Sequence, residues 1–286
     1  MQRLIAGILI LPLIALITGL AGCGKEDTPK PVPRKPLAVN ADGNKVVPAK
    51  PTIKPGTAKV VGKVVLVGDV PKLPSLEARM LDHKSDGKFC LSGPEAEKAD
   101  QTWLIKDRGV ANAVIWLSPP ADKDFEVVNT PGEVVLDQPH CVYIPHVLAL
   151  KPGQKLFIKN SANVVHNTQL KVDPFANPRT FENAIPSGKS AVVDFLNPQD
   201  DVINIGCQFH LWMGAKLWVK EHQYVAVTKA DGSFTIDNVP EGVELSVVAW
   251  HEGASPNYFY GAGKKGQKQT FKAGENKLGD IPVKAP

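Results

Sequence analysis

The chain has 286 residues, of which 43% are hydrophobic and 22% charged, so it can build a packed core and is not disordered throughout. Its formal net charge is +4, yet residues 56–255 carry 19 basic and 24 acidic side chains. The positive charge is therefore confined to the two ends. The central part of the chain does not have the excess of basic residues that is typical of nucleic-acid-binding proteins. The 25 prolines and 24 glycines favour β-structure with many turns over a helical enzyme scaffold.

The N-terminus has the pattern of a secretion signal, because Arg3 is followed by the apolar residues 4–22. A membrane-spanning helix is the alternative, since 19 residues can just cross a bilayer. Pro12 and several glycines weaken such a helix, and small residues stand directly before Cys23. This arrangement resembles the signal peptide and lipobox of bacterial lipoproteins.

That resemblance implies that residues 1–22 are removed and that Cys23 carries a lipid anchor. The mature chain is then expected outside the cytoplasm and attached to a bilayer, with the periplasmic face of the outer membrane preferred and the cell surface as the alternative. Residues 23–56 hold seven prolines and almost no large apolar side chain. They are therefore predicted to form an extended tether.

From Lys59 onward, runs of β-branched residues between turn residues predict strands. The first two are expected at 60–67 and 110–117, with one short helix over 94–100 between them. Further strands are predicted at 133–137, 142–150, 154–159, 190–195, 202–207, 214–220, 223–228, 233–236 and 243–250. The predicted fold class is therefore all-β, built from sandwiches or barrels.

The cysteines single out one thiol. Beyond the lipobox, the chain has Cys90, Cys141 and Cys207, and unpaired thiols are unusual in an oxidising compartment. Three cysteines cannot all pair, so one must be free or have another role. Cys207 is the candidate because His210 and Met213 follow it at intervals of three residues. A disulfide between Cys207 and one of the other two is the alternative.

A thiolate, two imidazoles and a weakly bound thioether form the ligand set of blue-copper electron transfer. The second imidazole must come from another strand, and His166 fits because it follows the predicted strand 154–159. Met213 and the neighbouring Trp212 have a simpler alternative as core residues. The remaining histidines are expected to be structural or surface groups: His83, His140, His146, His222 and His251.

Residues 152–220 resemble the cupredoxin family, the type 1 blue-copper proteins that include amicyanin and plastocyanin. The resemblance rests on a Pro-Gly turn before a strand that ends in Asn, on the His166–Asn167 pair, and on a final Cys–His–Met loop as short as that of amicyanin. It implies a Greek-key barrel or sandwich that holds one copper ion, which cycles between Cu(I) and Cu(II). The implied ligands are His166, Cys207, His210 and Met213, with His210 as the exposed imidazole.

The cupredoxin resemblance also implies roles for residues around the metal. Asn167 is expected to support the ligand loop, in which Gln208 stands where the family commonly has Ser or Thr. An apolar patch around His210 is expected to dock redox partners and pass electrons: Phe209, Leu211 and Trp212. If Cys207 binds copper, Cys90 and Cys141 are the natural disulfide pair.

Motifs at 136–146, 226–242 and 249–252 resemble a lipoprotein type related to methylamine-utilisation proteins. The block 226–252 is similar to the carboxypeptidase-regulatory or transthyretin-like β-sandwich. These likenesses imply an N-terminal β segment at 57–131 that completes a smaller sandwich at 222–286, with a cupredoxin domain at 132–221 inserted between them. The basic segment 264–284 is expected to be a solvated surface.

The leading functional hypothesis is a membrane-tethered copper protein that carries single electrons between extracytoplasmic redox partners. An enzyme such as a copper oxidase or nitrite reductase is disfavoured, because Gly206 and Gln208 flank Cys207 where a second copper centre would need histidines. Copper storage or delivery is an alternative. A structural or interaction lipoprotein with no redox role is another.

Overall fold

The computed structural model describes residues 49–286. The expected signal peptide, the lipidation site Cys23 and most of the expected tether lie outside the described residues. Within them, the all-β class predicted from the sequence is confirmed. Neither α-helix in this part of the chain has the length or apolar character that crossing a membrane requires.

Within residues 49–286, nineteen strands make up most of the regular structure. In chain order they are β1 Thr52–Ile53, β2 Ala58–Val67, β3 Ile105–Lys106, β4 Gly109–Val110, β5 Val114–Ser118, β6 Asp124–Phe125, β7 Gly132–Asp137, β8 Val147–Leu150, β9 Gln154–Lys159, β10 His166–Lys171, β11 Phe181–Ile185, β12 Ser190–Val193, β13 Ile203–Gly206, β14 Gly214–Val219, β15 Val225–Val227, β16 Ser233–Val239, β17 Glu244–Trp250, β18 Gln267–Thr270 and β19 Gly274–Lys284. The helical elements are short: α1 Glu77–Leu81, α2 Gly87–Cys90, and 3-10 turns at Glu95–Glu97 and Gly263–Lys265.

Two sheets form what we call the outer sandwich. One sheet has the strand order β15-β5-β17-β18, and the other has the order β16-β2-β4-β3 with β19 parallel to β2. Their facing side chains form one apolar core. Strands from both ends of the described chain share these sheets. The chain leaves the outer sandwich after β5, passes through β6, which pairs with β1 in a separate two-stranded sheet, and returns to the outer sandwich at β15.

Strands β7 to β14 form the inserted sandwich. Its sheets have the orders β11-β10-β13-β14-β8 and β12-β9-β7. In β9, Leu156 and Ile158 are fully buried while Lys155 and Lys159 are exposed, as the two-residue period of a half-buried strand requires. The sheets stay open and are not closed into a barrel, so of the two expected architectures the sandwich describes this fold.

The two sandwiches share a small aromatic core. Trp218 on β14 lies between Trp116 on β5 and Trp250 on β17, with ring centroids 5.0 Å and 5.4 Å away. Val147, Val225 and Val248 pack against these rings. Because indole rings bury large apolar areas, this contact joins the two sandwiches through a continuous packed interface.

Some elements differ from those expected from the sequence. The helix predicted over 94–100 is a 3-10 turn at Glu95–Glu97 that buries no side chain. Without an apolar face to pack, such a short segment does not gain enough to extend into a helix. The helices α1 and α2 were not predicted, since five and four residues give no readable helical period.

Two strands next to the ligand positions were also missing from the prediction. The sequence of β10 is His-Asn-Thr-Gln-Leu-Lys, and that of β11 is Phe-Glu-Asn-Ala-Ile with a polar residue at its centre, so neither shows a regular apolar alternation. The strand predicted over 142–150 begins only at Val147. The segment 264–284, expected to be solvated surface, contains β18 and β19, and Ile281 and Val283 of β19 are buried while its lysines face outward.

Candidate metal centre

Two neighbouring strands bring the expected ligands together. His166 is the first residue of β10, whereas Cys207, His210 and Met213 lie on the loop between β13 and β14. β10 and β13 are antiparallel, with Gln169 opposite Gly206. This register places the start of β10 beside the beginning of the ligand loop, although the two segments are about forty residues apart in sequence.

Three side chains point at a common space. The Nδ1 atoms of His166 and His210 are 3.1 Å apart, and the Cys207 Sγ is 3.8 Å from the His210 Nδ1. One ligand atom from each of the three residues lies within 4.8 Å of the others. Both imidazoles are completely buried, and the thiol is nearly so. Such an arrangement can hold one ion out of contact with bulk water.

The donor chemistry fits copper. Burial, with a smaller contribution from His210, lowers the pKa of His166 to about 4. Burial and then His83 lower the pKa of His210, while Asp86 acts in the opposite direction. Both rings are therefore neutral at pH 7, and each can offer a lone pair to a metal. A thiol with two neutral imidazoles matches the principal ligands of blue-copper sites.

Backbone N–H groups fix the position of the sulfur. The amides of Asn167 and His210 each donate a hydrogen bond to Cys207 Sγ over 3.4 Å. Cys207 is the free cysteine of the described residues, because Cys90 and Cys141 form a disulfide with their Cα atoms 5.1 Å apart. The thiol is thus available to a metal and is held by both segments that carry the imidazoles.

Met213 lies at the end of the ligand loop. Its backbone N–H donates to the carbonyl of His210 over 2.8 Å, which closes the loop before β14 begins. The side chain is buried in the same apolar cluster as Cys207. The structure therefore places Met213 at the end of the loop that carries Cys207 and His210, with its side chain in the core of the inserted sandwich.

Asn167 supports the ligand loop through the main chain. Its Oδ1 accepts a hydrogen bond from the backbone N–H of Gln208 over 3.2 Å. The Gln208 side chain points away from the site and donates to Gln169 over 2.8 Å at the surface. Because any residue other than proline has a backbone N–H, this link does not require the Ser or Thr that the cupredoxin pattern suggests.

The expectation of an exposed His210 imidazole is wrong. The ring is completely buried beneath residues 76–91, which contain α1 and α2 and which we call the helical cap. His210 Nε2 lies 3.1 Å from Asp86 Oδ2, and the centroid of the His83 ring is 4.7 Å from that of His210. The disulfide from Cys90 holds the cap against the sandwich. His83 and Asp86 were not predicted to belong to the site, since a polar run between two short helices resembles ordinary surface.

The expected apolar patch is only partly at the surface. Phe209 is 44% exposed and Leu211 is 71% exposed. Trp212 is half-buried, and its indole N–H donates to the carbonyl of Cys141 over 3.1 Å. Phe209 also lines a shallow cleft together with His83 and Val165, beside the cap. The surface near the ligands therefore combines loop and cap residues.

The other histidines bond to protein groups. In three of them, Nδ1 accepts a hydrogen bond from a backbone N–H two or three residues further along the chain, over 3.2 Å. His83 accepts from Asp86, His222 accepts from Tyr224, and His251 accepts from Gly253. His140 Nδ1 lies 2.9 Å from the Glu97 carboxylate. His146 Nε2 pairs with Glu252, and its Nδ1 lies 3.0 Å from the carbonyl of Gly214.

Comparison with known proteins gives structural neighbours but no family. No protein-family model matches the sequence, and no curated protein matches it either. The neighbours among solved structures are cupredoxins that match part of the chain. A copper-containing nitrite reductase from Thermus scotoductus SA-01 is 18% identical with a TM-score of 0.28, and the match covers 32% of this chain and 23% of that one.

Two smaller proteins match over nearly their whole length. A Cu(I) structure of an amicyanin mutant is 18% identical with a TM-score of 0.28, covering 36% of this chain and 98% of that one. A purple cupredoxin from Nitrosopumilus maritimus is 19% identical with a TM-score of 0.25, covering 30% of this chain and 99% of that one.

Proposed function

We propose that this protein binds one copper ion through His166, Cys207 and His210, with Met213 as the weak fourth ligand, and transfers single electrons between redox partners. The observation that supports the proposal is the convergence of two buried imidazoles and an unpaired buried thiol within 4.8 Å of one another. One thiolate and two imidazoles are the principal ligands of electron-transfer copper sites.

The residues of the site perform the tasks that electron transfer requires. Copper, when bound, would supply the one-electron couple between Cu(I) and Cu(II). The neutral rings of His166 and His210 offer lone pairs, and the backbone amides of Asn167 and His210 hold the sulfur. A site held by strands and backbone hydrogen bonds changes little when its charge changes, which favours rapid electron exchange.

We propose a carrier rather than an enzyme. The residues beside Cys207 are Gly206 and Gln208, so no imidazole in the ligand loop adjoins the cysteine to feed a second metal. The complete burial of His166 and His210 supports this proposal, because a carrier does not need to admit a substrate to its metal ion. Burial likewise favours retention of the ion over its delivery to other proteins.

The location of the protein belongs to the same proposal. The Cys90–Cys141 disulfide supports an oxidising, extracytoplasmic compartment. A lipid on Cys23 would attach the chain to a bilayer, with the outer membrane facing the periplasm preferred. Redox partners would dock on the exposed side chains beside the ligands, Phe209 and Leu211.

Spectroscopy of the copper-loaded protein tests the proposal. We expect an intense blue or green colour and an electron paramagnetic resonance spectrum with the small copper hyperfine splitting of a thiolate-bound ion. Cys207→Ser should lose both, and Gln208→Ala is the matched control that should keep them, because the Gln208 side chain bonds to Gln169 at the surface. A colourless, tetragonal spectrum from the wild type, or an unchanged spectrum after Cys207→Ser, would rule out the assigned site.

A further inference from the structure

The two nitrogens of His210 face different parts of the molecule. Nδ1 points into the ligand cluster, 3.1 Å from His166 Nδ1 and 3.8 Å from Cys207 Sγ. Nε2 points outward to the helical cap, where Asp86 Oδ2 lies 3.1 Å away. The ring is completely buried, so no solvent molecule can replace the carboxylate as its partner without moving the cap.

The carboxylate determines which nitrogen of His210 carries the proton. An ionised carboxylate can only accept hydrogen bonds, so the proton of the neutral ring lies on Nε2. Nδ1 then has a free lone pair directed towards Cys207 and His166. A carboxylate that accepts from the outer nitrogen of a metal-binding histidine also fixes the orientation of the ring and makes it a stronger donor.

Asp86 is itself held in place by the cap. Its backbone N–H donates to His83 Nδ1 over 3.2 Å, and its carbonyl accepts from the Cys90 N–H over 2.9 Å. Cys90 is joined to Cys141, which precedes β8 of the inserted sandwich. The His83 ring packs against both His210 and Trp212. The carboxylate is thus fixed through hydrogen bonds, a disulfide and ring contacts made by the protein itself.

We propose that Asp86 is a positioning residue that orients His210 with Nε2–H towards the cap and Nδ1 towards the metal. This inference rests on the proposed function for the part that concerns copper. The carboxylate also places a negative charge beside a ligand ring, and that charge stabilises the more positive state of the ion. Asp86 therefore lowers the reduction potential of the site by favouring Cu(II) over Cu(I).

Nitrogen NMR of the metal-free full-length chain tests the orientation without copper. In the wild type, we expect His210 as a single tautomer with the proton on Nε2. Asp86→Ala should give a mixture of tautomers, and Asp86→Asn should weaken the preference. Asp82→Asn is the matched control, because it removes the same charge from an exposed position on the same cap. An unchanged His210 tautomer in Asp86→Ala would overturn the proposal.

Potentiometry of the copper-loaded chain tests the effect of the Asp86 charge on the reduction potential. Asp86→Asn should lower the ratio of Cu(II) to Cu(I) affinity about tenfold. For a one-electron couple, this change raises the reduction potential by about 59 mV. Asp82→Asn should shift it much less, because solvent screens an exposed charge. Equal shifts in the two variants would contradict the assigned role. If the wild type fails to bind copper, the proposed function fails while the NMR result still decides the role of Asp86.

Discussion

At the scale of single residues, Asn167 links the two segments that carry the ligands. Its backbone N–H donates to Cys207 Sγ over 3.4 Å, and its side-chain Oδ1 accepts the Gln208 N–H over 3.2 Å. Asn167 is itself nearly buried. The ligand loop is therefore tied to β10 at two successive residues, and the amide side chain contributes one of those two bonds.

Replacing this side chain should loosen the loop. Asn167→Ala leaves the Gln208 N–H without its partner, and we expect a loss of about 1–3 kcal/mol in the free energy of unfolding. Copper release to a chelator should also become faster. Gln208→Ala is the matched control, because its side chain bonds only to Gln169 at the surface. Urea titrations and chelator kinetics measure both effects, and equal losses in the two variants would argue against this role.

The convergence of His166, Cys207 and His210 could be predicted from sequence, whereas their outer partners could not. Cys207, His210 and Met213 share one loop, so their spacing alone suggests a metal site. Asp86 meets His210 across 124 residues of chain. That contact depends on the path of the cap, which no periodicity or motif records. For the same reason the burial of His210 became visible only in the structure.

At the scale of elements, the helical cap depends on a covalent link. α1 and α2 have five and four residues, far too few for isolated helices to be stable in water. Apart from the disulfide, the buried side chains of Leu76 and Met80 attach the cap to the core of the inserted sandwich. The position of the cap over His210 therefore relies on the Cys90–Cys141 bond.

Removing that bond should release the cap. The cysteines are 51 residues apart, and closing a loop of this size stabilises a protein by about 4 kcal/mol. For Cys90→Ala with Cys141→Ala, we expect a loss of that order and faster hydrogen exchange in residues 77–90. Exchange in β9 of the inserted sandwich is the internal control. Unchanged protection of the cap would show that side-chain packing alone holds it.

The last strand is a second element whose role the sequence concealed. β19 reads as a lysine-rich segment, but it runs parallel to β2 and places Ile281 in the core of the outer sandwich. Its apolar residues are too few to predict a strand, and its partner lies at the opposite end of the described chain. In contrast, strands with clear alternation such as β9 were predictable at their full length.

Core truncation in this strand should be costly. Ile281 is completely buried, so we expect Ile281→Ala to lower the free energy of unfolding by about 2–5 kcal/mol. Lys277→Ala, in the same strand but exposed, should change it by less than about 0.5 kcal/mol. Denaturant unfolding measures both variants. A small loss for Ile281→Ala would mean that β19 is dispensable to the outer sandwich.

At the scale of the whole molecule, the two sandwiches are joined by polar contacts as well as by tryptophan packing. Glu252, just after β17, pairs with His146 and lies 3.3 Å from Lys216 of β14. Burial tends to raise the pKa of this carboxyl, but His146 and Lys216 hold it below its usual range. The strands of the inserted sandwich thus share charge pairs with the outer one, which favours unfolding in a single transition.

The buried histidines make this common stability dependent on pH. Burial lowers the pKa of His251 to about 4, and burial together with Lys220 lowers that of His222 to about 3. In the unfolded chain both return to about 6.5. Below that value the unfolded state binds more protons, so stability is complete above about pH 6.5 and falls as the pH approaches about 4.

A single substitution measures the contribution of one histidine to this slope. Each buried neutral histidine adds about 1.4 kcal/mol of destabilisation per pH unit within its window. His251→Asn keeps an acceptor for the Gly253 N–H and cannot be protonated. Between pH 6.5 and 4, the unfolding free energy of this variant should therefore fall less steeply than that of the wild type, by about 1.4 kcal/mol per pH unit. Urea titrations of the metal-free proteins at several pH values give both slopes. Parallel profiles would show that the pKa of His251 is the same in the folded and unfolded states, because only a group whose pKa differs between the two states couples its protonation to unfolding.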